Sequence, residues 1–92
     1  MKVRDLKNQL NLMIPEFKVN DQMTAVAHWL NKIHTSPKGE HTTSSEKEIK
    51  TAEKLKGLSL LEFSGEGTIT VKLSEVGKKL HADFQAHGYF NK

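Results

Sequence analysis

The 92-residue sequence predicts a small α+β domain that is mostly helical and carries one β-hairpin. Apolar residues recur every three or four positions in four separate segments, which is the spacing of amphipathic helices. Between the third and fourth segments, apolar residues alternate along two short runs, as they do in half-buried strands. The residues between these runs, Ser64–Gly67, include two glycines and suit a hairpin loop.

The first predicted helix covers residues 3–13. Four apolar residues repeat there at the spacing of one helix face: Val3, Leu6, Leu10 and Met13. Pro15 is expected to end this helix, because a proline keeps the residue before it out of the helical region. Phe17 and Val19 are then expected to form a short extended link.

A second helix is predicted over about residues 21–34, with Asn20 and Asp21 as candidate N-caps. Apolar residues three or four apart form its inner face: Met23, Val26, Leu30 and Ile33. Trp29 lies beside this apolar stripe. Phe84 lies on the apolar stripe of the last predicted helix. Both aromatic residues are interpreted as core anchors rather than as platforms for stacked bases.

Residues 35–45 have no apolar periodicity and are predicted to form an exposed loop. A third helix follows over residues 45–57. The runs Ser45–Glu48 and Thr43–Glu46 both fit a capping box, so two starting points, two residues apart, are possible. Gly57 is placed to end the helix, since a left-handed residue costs glycine least.

A hairpin and a closing helix complete the prediction. Residues 60–63 should pair with residues 68–73, where apolar residues alternate. Ser74 should cap the last helix through its hydroxyl, and Gly88 should end it. Six apolar residues from the helices and strands should be buried together: Val26, Leu30, Leu55, Phe63, Val71 and Leu80.

Composition limits the class of protein. The chain is long enough for one domain, residues 1–92, with one core. It has no cysteine, which excludes disulfides and cysteine-based zinc sites. No apolar run approaches the roughly 18 residues of a membrane helix, so no membrane partner is expected. The first residues lead into a charged amphipathic pattern and not into the apolar centre of a signal peptide, so a cytoplasmic location is expected.

No pattern of a catalytic or metal site is present in the sequence. The pairs His28 and His34, and His81 and His87, are each six apart, which does not align them on one helix face as a spacing of four would. The five histidines are interpreted as surface residues. A nucleophile elbow and a glycine-rich phosphate loop are also missing from the sequence. We therefore expect a protein that is not an enzyme and has no metal or cofactor.

Two short motifs resemble those of a known family. The run at residues 73–80, Leu-Ser-Glu-Val-Gly-Lys-Lys-Leu, resembles the Leu-Ser/Thr-x-x-Gly-x-x-Leu turn after the wing in many bacterial and archaeal winged-helix regulators. The run at residues 55–58, Leu-Lys-Gly-Leu, resembles the point where their recognition helix ends and the wing begins. The resemblance covers about the last half of the chain, and these motifs specify a fold better than a function.

The resemblance implies a winged-helix-like domain of three to four helices with one hairpin wing. Residues 20–88 would form the winged-helix core, and residues 1–19 would add an N-terminal helix and a link. The family usually has a short second helix and a tight turn before the recognition helix, and residues 35–45 occupy that place. Either helix 21–34 is the family's first helix and the second is reduced, which we prefer, or the first two helices take those roles with a long turn between them.

The resemblance further implies double-stranded DNA as the partner, with helix 45–57 as recognition helix in the major groove and residues 61–73 as the wing. The exposed polar residues of that helix would contact phosphates and base edges. These residues are Ser45, Lys47, Lys50, Thr51 and Lys54. In the alternative interpretation they form an ordinary solvated face, where Glu46, Glu48 and Glu53 pair with the lysines.

The charge pattern leaves two functions open. A net charge of +3 is compatible with a nucleic-acid partner and a transcriptional regulator. However, Arg4 is the only arginine, although arginine makes the commonest specific contact to guanine. Glu66 at the wing tip would be repelled by phosphates. The alternative is therefore a winged helix used as a protein–protein interaction module, docking on a polymerase, a nuclease or a larger regulator.

A homodimer is also expected, because regulators of this kind often pair through flanking helices to match two-fold operators. The helix over residues 3–13 is additional to a winged-helix core. The closing helix offers Val76, Leu80 and Phe84 as apolar residues on one face. These two helices would form the dimer contact.

Overall fold

The computed structural model describes residues 1–90, which form four α-helices and a three-stranded antiparallel sheet. The helices are α1 (Val3–Met13), α2 (Glu16–Thr35), α3 (Glu46–Gly57) and α4 (Glu75–Ala86). The strands are β1 (Glu40–Thr43), β2 (Leu61–Ser64) and β3 (Ile69–Leu73), and a 3-10 turn at Pro37–Gly39 precedes β1. The prediction of a mostly helical α+β fold, winged-helix-like and with one hairpin, is confirmed.

The hairpin has the predicted pairing, and a third strand extends it. In β2 and β3, Leu61 lies opposite Leu73 and Ser64 lies opposite Thr70. Strand β1 pairs with the other edge of β3, which gives the sheet order β1-β3-β2. One face of β3 is buried through Ile69, Val71 and Leu73, so the sheet covers the helices on one side and meets solvent on the other.

The core joins all four helices to the sheet. Of the six residues predicted to share it, five are buried: Val26, Leu30, Leu55, Val71 and Leu80. Phe63 is only half-buried because it lies on the edge strand β2, where the ammonium of Lys56 lies 4.4 Å from the ring centroid. Phe84 is fully buried as predicted, whereas Trp29 is half-buried at the margin of the core.

The predicted start of the second helix is wrong, because α2 begins at Glu16 and includes the residues expected to form a link. Pro15 ends α1 and also starts α2: its fixed φ suits the start of a helix, and its missing N–H is not needed there. Val19 is thereby placed in the core at 1% exposure, and Asn20 and Asp21 lie inside the helix instead of capping it. The predicted boundary between residues 19 and 20 falls within α2.

The predicted loop at residues 35–45 contains strand β1, so this prediction is also wrong in part. The strand reads Glu-His-Thr-Thr, and only Thr43 is buried. With no apolar alternation of its own, the segment becomes a strand by pairing with β3. The place where the family usually has a short second helix is therefore occupied by a 3-10 turn and a strand.

The ends of α3 and α4 share one geometry. After α4, Gly88 has a φ of 78° as expected, and the N–H of Tyr89 bonds back to the carbonyl of Phe84. After α3, the left-handed residue is Ser59, with a φ of 65°, and not the predicted Gly57. The N–H of Leu60 then bonds back to the carbonyl of Leu55, as in a Schellman motif.

The start of α4 explains two residues of the sequence motif at 73–80. Ser74 caps the helix by accepting a hydrogen bond from the N–H of Gly77 at 3.0 Å, and its own N–H bonds to the carbonyl of Leu60. A Cβ on Gly77 would collide with that same carbonyl group. Glycine therefore lets α4 approach the chain that leads into β2.

Helix α1 is an integral part of the fold. Val3, Leu6 and Leu10 are buried, and the N–H of Val3 donates a 2.7 Å hydrogen bond to Asp83 of α4. Among residues 1–90, no helix is both long enough and apolar enough to span a membrane.

Candidate nucleic-acid interface

Three lysines lie together on the exposed face of α3. With about 100° between successive residues of a helix, Lys47, Lys50 and Lys54 fall within an arc of about 60°, and all three are exposed. Ala52 and Leu55, on the other side of the helix, are buried in the core. The core thus fixes which way α3 faces and leaves the lysines outside.

Glu48 of α3 does not pair with these lysines. Its carboxylate accepts hydrogen bonds from Lys32 Nζ at 3.2 Å and from Thr43 Oγ1 at 3.1 Å, and His41 Nε2 lies 3.2 Å away. Burial alone would raise the pKa of this carboxyl, but these hydrogen bonds outweigh burial and hold the pKa of Glu48 below its usual value. Glu48 is therefore an ionised link from α3 to α2 and β1.

In the alternative interpretation, three acids of α3 pair with its lysines. One of these acids, Glu48, is bound elsewhere in the structure. Within the described part of the chain, Lys47, Lys50 and Lys54 form no ion pair, because the ion pairs of α3 are those of Glu48 with Lys32 and His41. Glu46 and Glu53 are exposed to one side of the lysines. The charges of these three lysines, which we call the lysine face, are thus not balanced by an ion pair in the described residues.

The two hydroxyl residues predicted to contact DNA already have structural partners. Ser45 is the N-cap of α3, so the helix starts at the predicted run Ser45–Glu48 and not at Thr43–Glu46. The Oγ of Ser45 accepts a hydrogen bond from the N–H of Glu48 at 3.5 Å. Thr51 Oγ1 donates to the carbonyl of Lys47 at 3.1 Å. Each hydroxyl oxygen keeps a lone pair for a further donor.

A shallow groove lies between α2 and α3 beside the lysine face. Its volume is about 270 Å³, and six residues line it: His28, Trp29, Lys32, Lys47, Glu48 and Thr51. The groove adds Lys32 and His28 to the candidate interface, and neither was predicted. They lie among the polar residues of α2, and no sequence signal indicated that this part of α2 would lie beside α3.

The wing presents mixed charge. Glu66 is exposed at its tip, in the turn between β2 and β3. On the outer face of the sheet, Lys72 of β3 lies between Glu40 and Glu62 of the neighbouring strands. The wing therefore has fewer free positive charges than α3, as the position of Glu66 in the sequence indicated.

One histidine is buried, contrary to the prediction that all five lie at the surface. His81 of α4 is 5% exposed, and its Nε2 lies 3.1 Å from Asn31 Oδ1. Its ring stacks on His34 at 4.1 Å and on Phe90 at 4.9 Å. Burial, and then the charge of His34, lower the pKa of His81. Over residues 1–90, no group of three or more His, Asp or Glu residues could hold a metal ion.

Comparison of the chain with models of protein families, with curated proteins and with solved structures finds no match. The chain's own geometry must therefore indicate its function. Its main elements are the lysine face of α3, the groove beside it and the hairpin that follows.

Proposed function

We propose that this chain is a small, non-enzymatic DNA-binding protein of the winged-helix type and acts as a transcriptional regulator. Helix α3 would enter the major groove, and β2 and β3 would form the wing. The observation that carries this proposal is the lysine face: Lys47, Lys50 and Lys54 are exposed on one side of α3, and no carboxylate pairs with them in the described residues.

The lysines would supply most of the binding free energy through phosphates. Lysine acts on a phosphate as a mobile point charge, so these contacts favour DNA in general over any one sequence. Lys32 also lines the groove beside α3, but its ammonium is paired with Glu48 and so adds little free positive charge. Thr51 would contact a base edge and contribute sequence preference.

The link through Glu48 would replace the positioning role of the family's second helix. In this chain a 3-10 turn and β1 connect α2 to α3. Glu48 joins α3 to Lys32 of α2 and to His41 and Thr43 of β1, so α3 is tied at its N-terminal turn to both neighbours. A helix held at this turn can present its exposed face with little loss of entropy on binding.

A homodimer remains part of the proposal, but with a different contact surface. Leu80 and Phe84 of α4 are fully buried within one chain, so they cannot meet a second copy. Three large apolar side chains near the turn from α1 to α2 are exposed instead: Leu12 at 89%, Met13 at 70% and Phe17 at 76%. A second copy would cover these, and sedimentation showing only monomer at high micromolar concentration would contradict the dimer.

The alternative function, a protein–protein interaction module, is supported by the acids of the wing. Glu66 at the tip, with Glu40 and Glu62 on the outer sheet face, would be unfavourable beside a phosphate backbone. A basic surface of a polymerase, a nuclease or a larger regulator would suit them. In that case the hairpin, and not α3, would form the interface.

Titration with duplex DNA tests the proposal. A labelled random duplex would be titrated at two salt concentrations with the wild type, the Lys50→Ala/Lys54→Ala variant and a matched control, Lys7→Ala/Lys79→Ala. Both variants remove two exposed lysines, and the control removes them from α1 and α4. The α3 variant should bind more weakly, with a salt slope lower by about two units.

The control variant should bind nearly as tightly as the wild type. Circular dichroism must first show that both variants are folded. If the folded α3 variant binds duplex as well as the control does, α3 is not the recognition surface. Weak binding by the wild type, together with partner capture that depends on Glu66, would favour the protein-interaction alternative.

A further inference from the structure

A second cleft, away from α3, has three lysines and two histidines among its nine lining residues. It lies where α2 ends, between the 3-10 turn, β3 and α4, and has a volume of about 370 Å³. Its polar lining comes from six residues: His34, Lys38, Lys72, Lys78, His81 and Gln85. We call it the basic cleft. It shares no lining residue with the groove beside α3.

The charges of the basic cleft are not balanced from within. Lysines reach it from three elements: Lys38 from the 3-10 turn, Lys72 from β3 and Lys78 from α4. No carboxylate is among its lining residues. Two of these lysines have acidic neighbours outside the cleft lining. Lys72 lies opposite Glu40 and Glu62 in the sheet, and Lys78 lies 3.6 Å from Glu75 in a largely exposed pair that contributes little.

Two histidines, His34 and His81, are among the residues that line the cleft. The stacked rings of His34 and His81 join α2 to α4, and the hydrogen bond to Asn31 orients the ring of His81. Every charged group that lines the cleft around them is a lysine. Burial, and then the charge of His34, lower the pKa of His81, and an anion bound in the cleft would favour the charged form of this ring.

The backbone at the cleft is held in a costly conformation. Lys38 has a φ of 60° and Gly39 a φ of 68°, so two successive residues are left-handed. For a residue with a side chain this conformation is unfavourable. Such conformations concentrate at sites where the backbone serves a ligand, and here the conformation belongs to a lysine that lines the cleft.

We propose that the basic cleft binds a small phosphorylated anion, either inorganic phosphate or a phosphate monoester with a small organic body. A phosphate dianion matches three lysines without a carboxylate, and Gln85 can donate a hydrogen bond to it. Leu73 and Ala82 add an apolar wall for a short carbon chain. The cleft would then be an effector site, and this proposal is independent of what α3 binds.

Phosphate titration followed by NMR tests the proposal on the full chain. Inorganic phosphate and glycerol phosphate would each be added at constant ionic strength, with chloride as the reference anion. The amides of Lys38 and Gly39 and the imidazole signals of His34 and His81 should shift to saturation with phosphate and not with chloride.

A matched pair of variants assigns the site. Lys38→Ala/Lys78→Ala removes two cleft lysines and should weaken phosphate binding by about tenfold or more. Lys7→Ala/Lys18→Ala removes two exposed lysines from α1 and α2 and should leave binding unchanged. Unchanged shifts at Ile69 and Val71 of β3 would show that both variants are folded.

Three outcomes would overturn the proposal. Shifts that do not saturate, or that chloride reproduces, would mean that the cleft attracts anions only as a diffuse charge. Equal affinity in the two variants would place the anion elsewhere. Shifts at the cleft with a short DNA duplex, but with neither phosphate probe, would assign these lysines to nucleic acid. If glycerol phosphate binds more tightly than inorganic phosphate, the preferred ligand is a phosphate monoester.

Discussion

The carboxylate of Glu48 lies 3.2 Å from the ammonium of Lys32, and this contact joins α3 to α2 across sixteen residues of sequence. His41 and Thr43 of β1 bind the same carboxylate. One of the three acids expected to pair with the lysines of α3 in the alternative interpretation is therefore engaged inside the domain. Its role is to hold the helix whose lysines face outward.

The first prediction concerns how the free energy of unfolding changes at acidic pH. Because the pKa of Glu48 is lower in the folded chain than in the unfolded chain, its contribution is fully present above the unfolded pKa of 4.5 and is lost as the pH falls through the folded pKa. In urea unfolding between about pH 5 and pH 3, the wild type should lose stability more steeply than Glu48→Gln.

Glu53→Gln is the matched control for that experiment. Glu53 is exposed on the same helix and has no ion pair in the described residues, so its removal should leave the acid slope unchanged. At neutral pH, Glu48→Gln should be less stable than the wild type by about 1 kcal/mol. Parallel pH curves for the wild type and Glu48→Gln would contradict the role of Glu48 as a link.

The second prediction is a stabilising exchange at the end of α3. Gly57 is helical with open space around its Cα, whereas Ser59 is left-handed at a φ of 65°. Gly57→Ala should stabilise the helix, and Ser59→Gly should relieve the cost of the left-handed residue, each by about 0.5–1 kcal/mol. Thermal melts of the two single variants and of the double variant would measure this. A lower melting temperature for Ser59→Gly would contradict the assigned conformation.

Helices α3 and α4 differ in how far local sequence rules predict their ends. Local rules located Ser74 and Gly88 correctly, because a cap depends on a few adjacent residues. The same rules placed the left-handed residue after α3 at Gly57 because glycine is the cheapest choice. The chain uses Ser59 instead, since the Schellman bonds and the hydrogen bond from Ser74 Oγ to the Ser59 carbonyl fix the backbone there.

Longer-range features could not be predicted for a physical reason. The strand at Glu40–Thr43 exists because β3 offers it an unpaired edge, and its own residues have no strand pattern. The place of Lys32 beside α3 and the burial of His81 likewise depend on how helices pack. The lysine face of α3 was predictable, because the period of a single helix brings its three lysines together. That Glu48 pairs with other elements and not with these lysines was not predictable.

The third prediction tests the contact between α4 and the chain before β2. Gly77→Ala adds a Cβ that would collide with the carbonyl of Leu60, a backbone group that cannot rotate away. We expect a loss of stability of about 1–3 kcal/mol, measured by urea unfolding. Gly57→Ala is the control, because the same substitution in a helix with open space should stabilise the protein. A stable Gly77→Ala variant would mean that α4 can move outward without cost.

The last prediction asks which way the wing faces. Glu66 is exposed at the tip of the hairpin, so Glu66→Lys replaces a repelled charge with an attracted one if the tip lies beside a phosphate backbone. Duplex affinity should then rise several-fold, and the salt slope should steepen by about one unit. Glu16→Lys, at the start of α2, changes the net charge equally and controls for general attraction to DNA. Equal gains in duplex affinity in the two variants would mean that the wing points away from the duplex. Loss of binding to a protein partner in Glu66→Lys alone would favour the protein-interaction function.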